Sequence, residues 1–347
     1  MHIAANITGI KYTPFICRKL TIFNFSGLDR ALSSETTFIV SFDDESKMAV
    51  SWWVSSKRTR SYPYARVYDS LGYMGKRATV IPIMKDEGKD GDRDFLQWDT
   101  VSLMSLLGIY VVIGYYENAS RNLDYRHKIT DQRYDIRYIR EELLRLLSYQ
   151  SDALHWNLSQ LEKVGKISEQ AIESYMTISK QTGVHMHSVE SARKRINKLL
   201  QGKEAFLRMS RDLAQKAQKR ESVTFQPLEK LSGTKATITI TNYLGGVYYF
   251  TCDEVEAREN DIFLIEGKHT KSKDLPSLED IKDGLLKMIL LTSLKDVRMD
   301  NRIFHPIPIL KLTTGSGMGK ESGALLDNLK QESIVNGFRV TINSREL

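Results

Sequence analysis

Apolar residues in the middle of the chain recur at intervals of three and four. Residues 123–220 are poor in proline and glycine, and the same spacing returns over 169–180 and 188–200. This is the period of an amphipathic α-helix. The clearest run consists of Ile136, Ile139, Leu143, Leu144 and Leu147. The pattern predicts a helical middle region over residues 121–226.

The first part of the chain follows a different pattern, with β-branched and aromatic runs bounded by turn residues. Such runs occupy residues 36–42, 48–54 and 77–84 and are typical of strands. An acidic, glycine-bearing loop over 85–94 leads into an apolar stretch over 95–116, which we expect to be the central buried element. Residues 1–120 are therefore interpreted as a β-rich amino-terminal region.

After Pro227 strands and helices alternate. Strands are predicted over 236–242, 247–251, 262–268, 307–312 and 338–342, and helices over 278–294 and 321–332. A succession of three strands, a helix and a further strand is typical of an α/β core. The pattern predicts a mixed α/β fold whose core occupies residues 227–347.

The positive charge of the chain is concentrated in one stretch. The 347-residue chain has 50 Lys and Arg against 43 Asp and Glu, a net charge of +7. Residues 121–230 hold 21 basic and 14 acidic residues, so the excess lies in this stretch, and 193–220 alone hold ten basic and two acidic residues. A concentrated basic segment in an otherwise balanced chain indicates a polyanionic partner.

One predicted hairpin brings two acidic residues and a lysine together. Glu266 and Lys268 are two residues apart on a strand, so their side chains project from the same face. If a two-residue turn follows Arg258, cross-strand pairing places Asp253 directly opposite Glu266. A loop one residue longer would present Glu256 instead.

These residue types suit a metal-dependent hydrolysis. Two adjacent carboxylates repel each other unless a cation lies between them, and their hard oxygens suit Mg²⁺. The lysine can orient or help to deprotonate an attacking water and can neutralise charge that develops on phosphorus. Metal-assisted phosphodiester hydrolysis is the reaction class that this set favours. Lys287 lies on the helix predicted over 278–294. Its side chain could reach a phosphate, or it could simply pack along the surface of that helix.

The segment Ile265-Glu266-Gly267-Lys268, with an acid 13 positions before the glutamate and a helix after it, resembles the PD-(D/E)XK nuclease superfamily. The resemblance covers about the last 110 residues. Residues 85–94 and Phe95-Leu-Gln-Trp-Asp-Thr100 are also similar to segments of some bacterial type II restriction endonucleases. The resemblance implies that Asp253 and Glu266 are metal ligands and Lys268 the catalytic lysine. The chain departs from the first family motif, because Cys252 stands where a proline is expected.

The resemblance also implies a fold and partners. It implies a PD-(D/E)XK-like mixed-sheet core that cuts double-stranded DNA with Mg²⁺, in a homodimer on a palindromic site. Residues 1–120 would then be a possible DNA-recognition part. Two alternatives stay open: a structure-specific or repair nuclease of the same superfamily, and a non-catalytic DNA-binding or regulatory protein whose acidic patch is structural.

Two groups of basic residues are candidates for DNA contacts. Contacts to phosphates would fix the position of the protein on DNA without reading its sequence. The helical region offers Arg193, Lys194, Arg195, Lys198, Lys203, Arg208 and Arg211 for such contacts. Arg58 and Arg60, near Tyr62 and Tyr64, form a basic-aromatic cluster that could read bases. The structural alternatives are a salt-bridged helix exterior for the first group and a strand edge with stacked tyrosines for the second.

Other features indicate what the protein does not use. Cys17 and Cys252 form no CxxC pair, so neither a disulfide framework nor a zinc site is indicated, and a reducing cytoplasm is expected. The amino terminus shows no secretory signal, and the apolar window 101–116 is too short to cross a membrane. Residues 315–320 lack the spacing of a phosphate-binding loop, so no nucleotide cofactor is expected.

Overall fold

The computed structural model of the chain describes residues 2–58, 60–200, 234–242, 247–272, 274–300, 302–315 and 323–347. The chain forms two compact units. The central unit is Lys19–Ser210, and the terminal unit joins Met1–Arg18 to Arg211–Leu347. Their boundaries do not coincide with the three regions predicted from the sequence, 1–120, 121–226 and 227–347.

Helices and strands contribute comparable shares, 37% and 33%, so the protein is mixed α/β, as predicted. The strands are β1 (His2–Ile7), β2 (Ile22–Asn24), β3 (Thr37–Ser41), β4 (Lys47–Trp52), β5 (Lys76–Pro82), β6 (Met84–Asp86), β7 (Arg93–Phe95), β8 (Tyr110–Gly114), β9 (Tyr116–Arg121), β10 (Ile129–Tyr134), β11 (Thr234–Asn242), β12 (Val247–Arg258), β13 (Asp261–His269), β14 (Lys295–Met299), β15 (Arg302–Ile303), β16 (His305–Thr313), β17 (Arg339–Ile342) and β18 (Arg345–Glu346).

The described helices are α1 (Leu28–Ser34), α2 (Pro63–Leu71), α3 (Trp98–Leu106), α4 (Ile136–Ser148), α5 (Ala153–Glu162), α6 (Val164–Thr182), α7 (Val189–Leu200), α8 (Leu278–Thr292) and α9 (Gly323–Asn336). None of the helices in the described part of the chain combines the length and apolar character needed to cross a bilayer.

The central unit is built on a five-stranded sheet with the order β2-β3-β4-β5-β8. Strands β4, β5 and β8 run parallel, and α2 and α3 lie in the connections between them. The strand edge that was the alternative for the tyrosines near Arg58 and Arg60 is wrong, because Pro63 begins α2, where its fixed φ and missing N–H are tolerated. The long apolar stretch forms two buried elements, α3 and β8, separated at Gly108 with φ +66.

The helices of the middle region form largely where the sequence predicts them. Asp135 and Asp152 cap α4 and α5, each accepting a main-chain N–H from three residues further on at 2.9 Å. The buried face of α4 contains Leu146, whereas Leu144 is exposed, so this face is rotated relative to the prediction. Strand β10, which pairs with β9, lies inside the stretch that the spacing assigned to helix. Residues 201–226 of the predicted helical region lie outside the described residues.

The terminal unit contains a nine-stranded sheet with the order β15-β14-β1-β11-β12-β13-β16-β17-β18. All the strands predicted after Pro227 are present. The amino-terminal strand β1 lies inside this sheet, parallel to β11 and antiparallel to β14. Ile3, Ala5 and Ile7 are buried on one face of β1. The alternation is local, but the partner strand is more than 230 residues away, and no local pattern specifies it.

Removing apolar volume from β1 should destabilise the protein. Ile3→Ala is expected to lower the free energy of unfolding by about 2–5 kcal/mol, because the side chain is fully buried in the interior of the sheet. The matched control is Ile303→Ala in the same unit, at a side chain that is 59% exposed, for which we expect a change within about 0.5 kcal/mol. Urea denaturation followed by circular dichroism compares the two variants. Equal effects would show that β1 is not part of the folded core.

Candidate active site

The hairpin of β12 and β13 positions the candidate residues. Five residue pairs, from Glu254 with Ile265 to Arg258 with Asp261, follow the predicted register through a two-residue turn at Glu259-Asn260. One residue before the first of these pairs, the Oδ2 atom of Asp253 accepts a hydrogen bond from the main-chain N–H of Gly267 at 2.9 Å. Asp253 therefore lies against the segment that carries the candidate glutamate and lysine.

Glu266 and Lys268 share one face of β13, as their spacing predicts. The Lys268 Nζ atom lies 3.1 Å from Glu266 Oε1. The Glu266 side chain is 2% exposed and that of Lys268 is 15% exposed. The structure thus brings together the three residues that the sequence singled out, on adjacent strands of one sheet.

Helix α8 adds two charged residues to this group. Asp283 and Lys287 are four positions apart, so they lie on the same face of the helix. Lys287 Nζ donates to Glu266 Oε1 at 2.6 Å, and Lys268 Nζ donates to Asp283 Oδ2 at 2.6 Å. We call the five residues Asp253, Glu266, Lys268, Asp283 and Lys287 the acid–lysine cluster.

The sequence reasoning missed Asp283 and left the role of Lys287 open. An acid and a lysine at this spacing on an amphipathic helix were the only available signal, and most such pairs are solvated. Gly284 allows the close packing of α8 against β13 and β16. A Cβ atom there would lie 2.7 Å from Leu310 Cδ1 and 3.3 Å from Lys268 Cε. Glycine therefore leaves room for the stem of the candidate catalytic lysine.

Both lysines of the cluster remain protonated at neutral pH. Burial lowers the pKa of Lys268, but the opposite charges of Glu266 and Asp283 outweigh it, and the net pKa is raised. For Lys287, burial is likewise outweighed by Glu266, Asp253 and Asp283, and its pKa is raised strongly. Lys268 is consequently a hydrogen-bond donor and a positive charge in this arrangement, and it is poorly suited to act as a general base.

Two carboxylates of the acid–lysine cluster could hold a magnesium ion. Among the described residues, no group of three or more His, Cys, Asp and Glu side chains is arranged to hold a metal ion. Asp253 and Glu266 would supply two carboxylates, and Mg²⁺ commonly keeps several waters and binds through one or two carboxylates. Both lysines contact Glu266 through Oε1.

The alternative first acid faces elsewhere. Glu256 is exposed, pairs with Phe263 across the hairpin, and forms an ion pair with Arg258 at 2.8 Å. Residue parity places Glu254 on the same face as Glu256, and Glu254 forms an ion pair with Lys311 at 2.9 Å. Asp253, and not Glu256, is the acid on the side of Glu266.

The proposed DNA-contact residues lie in the central unit where they are described. Arg60 is ion-paired with three carboxylates of the acidic loop, those of Glu87, Asp92 and Asp94. Arg58 precedes α2 and contributes positive charge near the buried Asp99. These ion pairs indicate that Arg60 stabilises the acidic loop and is not a free side chain that could read bases.

The basic residues of α7 differ from one another. Arg193 pairs with Glu169 at 3.0 Å, and Lys194 is exposed. Arg195 lies over the ring of Phe95, with its Cζ atom 5.1 Å from the ring centroid. Lys198 belongs to α7, but its side chain lies outside the described part, as do residues Lys203, Arg208 and Arg211.

Comparison of the chain with protein-family models, with curated proteins and with solved structures finds no match in any of the three. The chemistry is accordingly assigned from the residues and their geometry.

Removing the shared carboxylate should expose the energetic coupling within the cluster. Glu266→Gln removes the carboxylate that Lys268 and Lys287 share, and it should lower the free energy of unfolding by about 3 kcal/mol. Lys287→Met alone should also destabilise. The loss of unfolding free energy in the double variant should be smaller than the sum of the losses in the two single variants, by more than about 1 kcal/mol. The reason is that Gln and Met leave no charge to neutralise at these positions.

The pH dependence has a defined sign. Because the folded-state pKa of both lysines is raised, their stabilisation is complete below the ordinary lysine value of about 10.4 and falls as the pH rises through the raised values. The difference in urea midpoint between the wild type and either single variant should therefore be the same at about pH 7 and at about pH 9.

For the double variant Glu266→Gln/Lys287→Met, losses of unfolding free energy that simply add would contradict energetic coupling within the cluster.

Proposed function

We propose that the protein is a metal-dependent endonuclease that hydrolyses phosphodiester bonds in double-stranded DNA. The observation that carries the proposal is the meeting of Asp253, Glu266 and Lys268 on one hairpin, in the register expected for a PD-(D/E)XK site. Within that class, we propose a sequence-specific enzyme of the type II restriction group that uses Mg²⁺.

The residues divide the work of hydrolysis between them. Asp253 and Glu266 would hold Mg²⁺, which supplies a Lewis acid and lowers the pKa of a bound water. Lys268 keeps its proton and would donate to a phosphate oxygen or orient the attacking water. Asp283 holds the Lys268 ammonium by a 2.6 Å hydrogen bond and so positions it. Hydrolysis adds the water oxygen to phosphorus and breaks one ester bond, leaving a phosphomonoester and a hydroxyl.

The surrounding sheet supports this reading. Strands β11, β12 and β13 form an antiparallel succession, and β16 follows α8 and runs parallel to β13. Apart from β14 and β15, which lie between α8 and β16, this is the order of three strands, a helix and a further strand that the sequence pattern after Pro227 predicts. The basic residues of the central unit would hold phosphates, and a homodimer on a palindromic site would place one active site on each DNA strand.

One observation favours a second candidate, a non-catalytic DNA-binding or regulatory protein. Glu266 is already neutralised by two lysines, so the acid–lysine cluster is a complete ion network as it stands. A structural network would show no metal affinity. A structure-specific nuclease differs in its products, because only a sequence-specific enzyme cuts plasmid DNA into discrete fragments.

Cleavage of plasmid DNA with Mg²⁺ tests the proposal directly. Asp253→Asn, Glu266→Gln and Lys268→Met should each reduce the cleavage rate by at least about 100-fold, because each removes a metal ligand or the positive charge at phosphorus. The matched control is Glu256→Gln, at an exposed acid on the opposite face of the same hairpin. It should cleave at the wild-type rate. Wild-type cleavage by Glu266→Gln would reject the proposal.

Metal binding separates the two candidates without relying on catalysis. Calorimetric titration with Mn²⁺ should show a site whose affinity falls at least about 10-fold in Asp253→Asn and Glu266→Gln. Glu256→Gln should bind as the wild type does. A wild-type protein that binds DNA but shows no Mn²⁺ site dependent on Asp253 and Glu266 would support the non-catalytic candidate instead.

A further inference from the structure

Two arginines of the central unit share one aromatic ring. The Cζ atom of Arg93 lies 5.3 Å from the ring centroid of Phe95, and that of Arg195 lies 5.1 Å from the same centroid. Arg93 and Phe95 belong to β7 and Arg195 to α7. Phe95 is buried, so one ring of the core is the shared contact of both guanidinium groups.

Among the described residues, neither of these guanidinium groups forms an ion pair with a carboxylate. Arg93 donates to two uncharged groups, the carbonyl oxygen of Ser188 at 3.2 Å and Ser191 Oγ at 2.7 Å. Arg195 has a buried Nε atom with no hydrogen-bond partner. Within the described part of the chain, neither arginine forms an ion pair with an acidic side chain.

Other arginines of the same unit show the ordinary arrangement. Arg60 is paired with three carboxylates, and Arg193, two residues before Arg195 on α7, is paired with Glu169. Half-buried charges in folded proteins are usually paired. Arg93 and Arg195 depart from this rule together and at one place.

The electrostatic cost of this arrangement is visible in both groups. Burial lowers the pKa of Arg93, although Asp86 partly offsets it, and Asp86 itself contacts His187 Nδ1 at 2.8 Å. Burial also lowers the pKa of Arg195, and the positive charge of Arg93 lowers it further. Guanidinium groups stay charged at any physiological pH, so a bound anion would relieve the repulsion.

We propose that Arg93 and Arg195, held over Phe95, form a binding site for a phosphate group. Guanidinium groups present paired N–H donors that match phosphate oxygens, which makes arginine the usual residue for this ligand. That the phosphate belongs to a DNA backbone rests on the proposed function, whereas the binding of a phosphate group does not. Arg195 also lies in the basic stretch 193–220, which continues the positive charge along the chain.

Duplex DNA binding in the absence of metal tests the site separately from cleavage. Arg195→Gln removes a side chain whose buried Nε atom has no hydrogen-bond partner among the described residues, and Arg93→Gln/Arg195→Gln removes the pair. We expect the double variant to bind DNA about 10-fold more weakly at moderate salt. Its plot of log affinity against log salt concentration should be shallower by about 1. Fluorescence anisotropy of a labelled duplex measures both quantities.

The matched control is Arg137→Gln, which removes the same charge from an exposed side chain of α4 in the same unit. It should leave the affinity within about 2-fold of the wild-type value and the salt slope unchanged. Melting temperatures of all variants check that they are folded. If the loss of two hydrogen bonds destabilises the double variant, Arg195→Gln alone should still weaken DNA binding and flatten the salt dependence.

Titration with inorganic phosphate distinguishes the sources of the ligand. Phosphate should raise the melting temperature of the wild type more than that of the double variant. If phosphate stabilises the wild type more than the double variant, and the double variant also binds DNA more weakly, DNA is supported as the source of the phosphate. If phosphate stabilises the wild type more but both proteins bind DNA equally, the phosphate site stands and DNA is rejected as the source. Equal phosphate stabilisation with unchanged DNA affinity and slope overturns the site, even in a protein that cleaves DNA. Conversely, phosphate binding by a wild type that never cleaves DNA would reject only the proposed function.

Discussion

The candidate site depends on pairing a carboxylate that water hardly reaches. Glu266 is 2% exposed, and burying a charged group is costly unless it is paired. The ammonium groups of Lys268 and Lys287 both contact Glu266, and the contact from Lys287 joins α8 to the face of β13. Asp283 then holds Lys268, so the position of each side chain depends on the charge of its neighbour. Gly284 makes this approach possible, because a side chain there would collide with Leu310 and with the Lys268 stem.

The same rule separates two kinds of basic residue in the central unit. Arg60 and Arg193 have carboxylate partners, and their charge is used within the fold. Arg93 and Arg195 have an aromatic support and no carboxylate among the described residues. Basic composition alone does not make this distinction, since all four arginines add equally to the net charge. Pairing decides which of them can neutralise a ligand.

Much of the terminal unit was predictable because its determinants are local. Alternating β-branched residues specify strands, and a two-residue turn at Glu259-Asn260 fixes the hairpin register that carries Asp253 to Gly267. The helix after Asp135 was predictable from its apolar spacing and forms with that residue as its cap. The segment around Pro63 forms the start of α2 and not a strand edge. Proline is compatible both with a strand edge and with the first turn of a helix, and only the neighbouring elements distinguish these.

The mixed α/β class, the five strands predicted after Pro227, and the shared face of Glu266 and Lys268 follow from the sequence alone, because each depends on a period of two or of 3.6 residues. Long-range contacts set the remaining features. They placed β1 beside β11, brought Asp283 and Lys287 to the hairpin, paired Arg60 with the acidic loop, and left Arg93 beside Arg195. These outcomes depend on which surfaces bury one another, and residues distant in sequence carry no local pattern that names their partner.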